Sequence, residues 1–312
     1  MSVLDRLGRT LIFLLAAAAV SCSTSAIRRG WEGRLHGDAV IFLGEVHDNA
    51  KQHELHLALL ERAFAAGWRP AIVMEQFDRE HQADIERARR EHPTDPQHVI
   101  DLAAPVTAGS GGWNWDFYRP YVALALRYNV PLIAANLSRS DASRVAEHGY
   151  SAVFSPAQQE ALRLNRPIAP DWQAAQEREI KTGHCNALPA DLVEPMTRAQ
   201  LARDAVMAAV VTEHARGGVV LLAGDGHVRR DIGVPRWLSP SLAPRVFTVG
   251  YLEEGDPLPA DAFDATVYTS RAQRIPPCRQ FEPRQERRRP TQRPQARGRD
   301  WPNALIREQF GN

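Results

Sequence analysis

Residues 39–48 read AVIFLGEVHD, an apolar run that stops at Gly44 and gives way to Glu45, Val46, His47 and Asp48. A run of this length and composition, closed by glycine, predicts a strand buried on both faces that delivers polar groups at its carboxyl end. Open α/β sheets bind their ligands at that end. Two later runs finish in the same way, residues 71–74 in Glu75 and residues 218–223 in Gly224, Asp225, Gly226 and His227. Three strand ends therefore converge, and the expected fold class is α/β, with a mostly parallel central sheet flanked by helices.

Downstream of Asp48, residues Leu55, Leu59, Leu60, Ala63 and Phe64 recur at helical spacing over 51–66 before Gly67. With the strand at 71–74 this forms a βαβ unit, which predicts two parallel strands and a right-handed crossover. Residues 78–91 predict a charged surface helix stopped by Pro93 and Pro96. A glycine-rich loop with Gly109, Gly111 and Gly112 feeds Trp113, Trp115, Phe117, Tyr118 and Tyr121, which suits a lid or ligand wall. A helix over 121–128 and a strand over 131–135 follow. Residues 140–195 carry Pro156, Pro167, Pro170 and Pro189 among short helical runs, which predicts an inserted helical subdomain. A helix over 197–213 and strands over 219–223, 246–250 and 265–269 complete a domain of residues 38–270.

The 312 residues are 44% hydrophobic and 24% charged, which suits a globular chain long enough for a large domain. Lys plus Arg number 38 against 37 for Asp plus Glu, so no global field points to nucleic acid as a partner. Arginine is crowded into residues 271–312, a basic tail rich in Pro, Gln and Arg whose composition predicts disorder. At the other end Arg6 and Arg9 precede an apolar run over 11–20, too short to span a bilayer, and then Cys22. This pattern predicts a lipoprotein-type signal over residues 1–22 in which Cys22 becomes the lipidated first residue, with ordinary secretion and cleavage nearby as the alternative. The expected location is the bacterial cell envelope, lipid-anchored at the outer membrane, since Ser23 stands where inner-membrane lipoproteins commonly carry Asp. Cys185 and Cys278 remain, and with Cys278 in the tail no framework of disulfides is expected.

Gly44 to His47 and Gly224 to His227 are two Gly-x-x-His segments, each after an apolar strand. Two imidazoles with one or two carboxylates, here His47, His227, Glu75 and Glu45, are a usual ligand set for a divalent transition metal with an open position. Water bound there is acidified and can attack an ester or amide. Each segment alone is a weak signal, because a His at a strand end is often a hydrogen-bonded turn residue. His184 and Cys185 offer nitrogen and sulfur to a soft metal, although an adjacent pair in a loop is more often incidental. His53 and His56 share a helix face and read as boundary residues. Arg203 and Asp204 read as a buried ion pair beside the pocket or as a substrate contact.

The chain resembles the ChaN-like haem-binding lipoproteins of the wider Tiki and erythromycin-esterase superfamily. The resemblance rests on LGEVHD at 43–48, VMEQ at 73–76, WNWDFYRPY at 113–121, PLIAANLSR at 131–139, QLARDAVMA at 200–208 and AGDGHVRRDIGVP at 223–235. It implies an α/β domain with a smaller helical subdomain and a homodimer that holds haem in iron acquisition. It also implies an alternative, because enzymatic members of the superfamily use the two Gly-x-x-His segments and the intervening Glu in metal-dependent proteolysis or ester hydrolysis. Those positions here are His47, His227 and Glu75. Haem asks for an axial ligand, apolar ring walls and a cation for its propionates. Tyr118 as tyrosinate ligand, Tyr121 beside it and Arg119 as the cation meet those needs, although core packing is the ordinary account of such a cluster. The expected function is a lipoprotein, membrane-anchored through Cys22, that binds haem and supports haem and iron uptake as a homodimer. The alternatives are a metal-dependent hydrolase built on Glu45, His47, Glu75 and His227, and an envelope scaffold with a vestigial pocket.

Overall fold

Six strands form one sheet: β1 (Val40–Glu45), β2 (Ala71–Asp78), β3 (Leu132–Asn136), β4 (Val219–Gly224), β5 (Val246–Glu253) and β6 (Ala265–Thr269). All pair in parallel, in the spatial order β3-β2-β4-β1-β5-β6. This computed structural model describes residues 30–104, 112–258, 261–275 and 278–279. The signal-type segment with Cys22, the loop holding Gly109 and Gly111, and the tail beyond 279 lie outside the described residues. No described helix is long and apolar enough to cross a membrane.

The strands β1, β2 and β4 are buried at every position, as runs without polar alternation require. Successive residues face opposite layers. Ile41, Leu43, Ile72, Met74, Val220 and Leu222 pack with helices α1 (Ala50–Ala65) and α4 (Trp115–Arg127). Val40, Phe42, Val73, Val219 and Leu221 pack on the other face with helix α8 (Ala190–His214). Between α1 and α4 lie α2 (Gln82–Glu91) and α3 (Pro96–Ala103). Pro96 opens α3, with the Asp95 carboxylate capping it, because the first turn of a helix tolerates a residue without an N–H. The helices α5 (Arg139–His148), α6 (Pro156–Ala161) and α7 (Pro170–Gly183) occupy the region between β3 and α8.

Several sequence expectations change. β1 and β2 are parallel, but β4 lies between them and pairs with both. The first connection therefore skips one position, which the most apolar strand fills from the far end of the chain. β5 then adds on the other side of β1, so connections leave β1 in two directions, the arrangement that opens a crevice at the strand ends. β2 runs on to Asp78, with an irregular register between Met74 and Asp78 that re-aims Glu75 and Gln76. The aromatic run is the first half of α4, capped by Asn114 and containing Pro120, and the helix begins at Trp115 instead of Tyr121.

One disulfide is present where no framework of bridges is expected, and of the tail over 271–312 only residues 271–275 and 278–279 are described. Cys185, just past α7, is bonded to Cys278, with Cα atoms 5.5 Å apart and 93 residues between them in sequence. Arg271 and Arg274 pair with Asp256 and Glu253. Composition reports the solubility of such a tail and says nothing of individual side chains that find buried partners. Closing a loop of this length lowers the entropy of the unfolded chain, so Cys185→Ser with Cys278→Ser should reduce stability by about 2–5 kcal/mol. Urea unfolding of the oxidised protein and of the double variant measures this, and identical midpoints would show that the bond contributes nothing.

Candidate functional site

Glu45 ends β1, and its carboxylate is buried. Its Oε1 accepts from the Tyr118 hydroxyl at 2.6 Å and from Gln76 Nε2 at 3.3 Å, and it faces His47 Nδ1 at 3.1 Å. Its Oε2 faces His53 Nδ1 at 3.5 Å and His56 Nδ1 at 3.8 Å. Burial opposes the charge on Glu45, but the hydrogen bond from His47 and the imidazoles of His53 and His56 outweigh it and lower its pKa. His53 and His56 are buried, not boundary residues, because α1 starts three residues after His47, at Ala50, and turns its first face under the site. His53 Nε2 donates to the His47 carbonyl at 2.9 Å, and its ring stacks on Phe117 with centroids 4.7 Å apart.

His47 is the open group of this cluster. Its side chain is 26% exposed, and its ring meets the indole of Trp113 edge-on at 4.8 Å. Nε2 makes no hydrogen bond to a described residue. Burial lowers its pKa, but the bond to Glu45 and the charge of Glu75 prevail and raise it. The ring lies across the end of β4, where a Cβ on Gly224 would stand 2.8 Å from Nε2. Glycine is needed there for space. Gly44 plays the same part for Asp225, whose carboxyl would collide with a Cβ at that position. Burial, and then the charge of Glu45, push the Asp225 carboxyl well above the carboxylate range.

His227 is closed. Its Nδ1 donates to Asp204 Oδ1 of α8 at 2.5 Å, and Nε2 lies 3.4 Å from Glu75 Oε1. Glu75 Oε2 accepts from the Gly224 N–H at 2.7 Å. Against the effect of burial, the two carboxylates push His227 up to about 10, and His227 with His47 brings Glu75 down to about 2. Burial raises Asp204 to about 6. The group is a buried imidazolium between two carboxyl groups. Asp204 thus serves His227, a partner the sequence did not assign to it, while Arg203 donates to Asn136 Oδ1 at 2.5 Å.

The predicted ligands stand in different surroundings. Both nitrogens of His227 face carboxylates, Asp204 at 2.5 Å and Glu75 at 3.4 Å, so neither is turned toward His47 as a free ligand. Among the described residues, no group of three or more His, Cys, Asp or Glu is placed to hold a metal ion. The Tyr118 ring is buried, its hydroxyl donates to Glu45 at 2.6 Å, and burial with the Glu45 charge raises its pKa well above 10.0. The Tyr121 hydroxyl is likewise inside, donating to the His53 carbonyl at 3.0 Å. Arg119 lies at the surface of α4, held by Asp116 at 2.8 Å and by Gln97 at 2.9 Å. Cys185 is oxidised and offers no thiolate beside His184.

Residues 32–238 match the family described as haem-binding uptake, Tiki superfamily, ChaN. That is well over half of the chain, and the chain belongs to this family. No curated protein matches the sequence. Among solved structures, ChaN of Campylobacter jejuni, described with cofacial haem binding, is 18% identical with a TM-score of 0.54, over 74% of this chain and 86% of that one. A mutant erythromycin esterase in its open conformation is 14% identical with a TM-score of 0.41, over 73% of this chain and 75% of that one. The likeness to ChaN is one of fold.

Removing the cation between Glu75 and Asp204 leaves buried carboxylates unpaired, so His227→Gln should cost about 3–5 kcal/mol. His227 is raised above its ordinary 6.5, so its contribution is complete below that pH and fades as the pH climbs toward about 10. Glu75 is lowered from 4.5, so its contribution is complete above that pH and fades toward about 2. The stability gap between wild type and variant should be widest between pH 4.5 and 6.5. Urea midpoints across pH measure it, and a gap that widens above pH 8 would contradict the assignment.

Proposed function

We propose that this chain binds haem at the carboxyl ends of β1 and β4, with His47 as the group that meets the iron, and that it serves haem and iron uptake from the cell envelope. His47 carries the reading. It is a partly exposed imidazole whose Nε2 has no partner among the described residues and whose Nδ1 faces the Glu45 carboxylate at 3.1 Å. A carboxylate behind an imidazole fixes the tautomer that leaves the far nitrogen for a metal, and makes that nitrogen a better donor. The apolar wall haem needs is at hand, with Trp113 against His47 and the partly buried Trp115 and Phe117 following on the same helix start. Tyr118 supports the ligand from behind by bonding Glu45, which is its role in place of direct ligation. Because the His47 pKa is raised, a metal at Nε2 displaces a proton, and affinity falls as the pH falls.

Family membership and the fold shared with ChaN support haem as cargo. The signal pattern ending at Cys22 supports a lipid anchor in the envelope, and the Cys185–Cys278 bond is of a kind that persists in oxidising compartments. We extend the reading to a homodimer, since cofacial binding of the kind described for ChaN of C. jejuni is met by two copies presenting such sites to each other. The hydrolase alternative is the weaker one: Glu75 and His227, two of the residues it requires, are committed to each other, to Asp204 and to the Gly224 N–H.

Haemin titrated into the mature protein should give a saturable Soret change near one haem per chain. His47→Ala should weaken binding by about tenfold or more, roughly 1.4 kcal/mol, and move the Soret band, whereas Tyr118→Phe should keep the band position. Loss of the band in Tyr118→Phe with retention in His47→Ala would return ligation to the phenol. No Soret change in wild type would end the haem reading.

A further inference from the structure

The loop that carries His47 is held by residues far away in sequence. At its ends the local contacts suffice: Val46 N–H donates to Gln52 Oε1 at 2.6 Å, and the Asn49 side chain caps α1 by accepting from Lys51 and Gln52. Asp48, between His47 and Asn49, is exposed and has no such local hold. Its Oδ1 accepts from Arg274 NH1 at 2.7 Å. The same guanidinium reaches Glu253 at the end of β5, at 2.5 Å through NH2 and 3.0 Å through NH1. The Glu253 side chain is 1% exposed, and it also accepts from Asn49 Nδ2 at 2.9 Å and from the Ala272 N–H at 2.8 Å. Asn49 Nδ2 in turn reaches the Ser270 carbonyl at 3.0 Å.

The geometry points to Arg274 as a positioning residue for His47, acting through Asp48 and Glu253, with the Cys185–Cys278 bond keeping it at its post. This rests on the reading of His47 as the ligand-binding group. A carboxylate as buried as Glu253 is stable only when paired, so its partner position is a structural necessity and not a stray surface contact. Arg274 fills that position through NH2 and NH1, and NH1 also reaches Asp48, the residue next to His47. The segment bearing Arg274 is fixed on one side by β6, which pairs with β5, and on the other by Cys278, which is tied beside α7. A segment held at both ends docks at high effective concentration, which keeps the contact formed. Residues 270–278 lie beyond the family's matched range of 32–238.

The test is the histidine ring spectrum of the full mature chain, with the His47 resonances assigned by their absence in His47→Ala, and a haemin titration in parallel. Arg274→Ala should move the His47 resonances and their titration midpoint and weaken haemin by about tenfold. Arg274→Lys should restore part of both. Because Arg274→Ala strands a buried charge, Glu253→Gln with Arg274→Gln is the variant that keeps folding and the question apart, and it should show the same change at His47. Cys185→Ser with Cys278→Ser should shift His47 in the same direction by less. Wild-type His47 resonances and midpoint in the Glu253→Gln, Arg274→Gln variant would overturn the proposal. Absence of haemin binding to wild type would instead sink the haem reading, and the ring resonances alone would still decide whether Arg274 positions His47.

Discussion

Two carboxylates buried at strand ends set the terms for the rest of the structure. Glu45 closes β1, and Glu75 stands in β2 with β4 between them; neither can hold its charge there without partners drawn from other elements. Glu75 takes the His227 imidazolium and the Gly224 N–H, both from the end of β4. Glu45 takes Tyr118 from α4, Gln76 from β2 and three imidazoles from the loop and helix that follow it. The partners lock the strands' carboxyl ends to both helical layers, so the same contacts that satisfy the charges also fix the crevice. Low dielectric strengthens each contact and makes each loss expensive.

The topology follows from the same demand. β4 must lie beside β2 and β1 at once for its terminal glycine to meet Glu75 on one side and His47 on the other. It arrives only after the chain has built β3 and passed through the helices α5 to α8. Most of the sheet's pairing is therefore non-local, and α8 brings Asp204 to His227 in the course of covering one sheet face. Burial and site chemistry are served by one helix.

Residue patterns show part of this plainly. The apolar runs closed by glycine mark β1, β2 and β4, and the polar residues just past them, Glu45, His47, Glu75 and His227, do meet at one end of the sheet. What the patterns miss has a physical cause in each case. Strand order is hidden because periodicity reports burial and not neighbours, so β4 between β1 and β2 is invisible. Tyr118 looks like a surface ligand because an aromatic next to a glycine-rich loop has the same composition whether it faces solvent or a buried carboxylate. Arg274 sits in a stretch whose Pro, Gln and Arg bias reports solubility, and one arginine with a buried partner does not change an average. The Cys185–Cys278 bond joins residues 93 apart, and no local pattern records that.

The two Gly-x-x-His segments make the general point. In each, glycine supplies room at a strand end and histidine arrives three residues later, so by sequence they are equivalent. His227 falls between Glu75 and Asp204, both of its nitrogens are used, and it serves as a cation that holds strands together. His47 falls against Glu45 on one nitrogen only, with Gly224 and Trp113 around the other, and it keeps a lone pair within reach of the surface once its proton is displaced. The difference lies in a carboxylate contributed by α8 on one side and missing on the other, a fact about packing between distant parts of the chain. A motif can nominate a histidine, but the count of carboxylates around it decides whether it becomes a ligand or a structural cation.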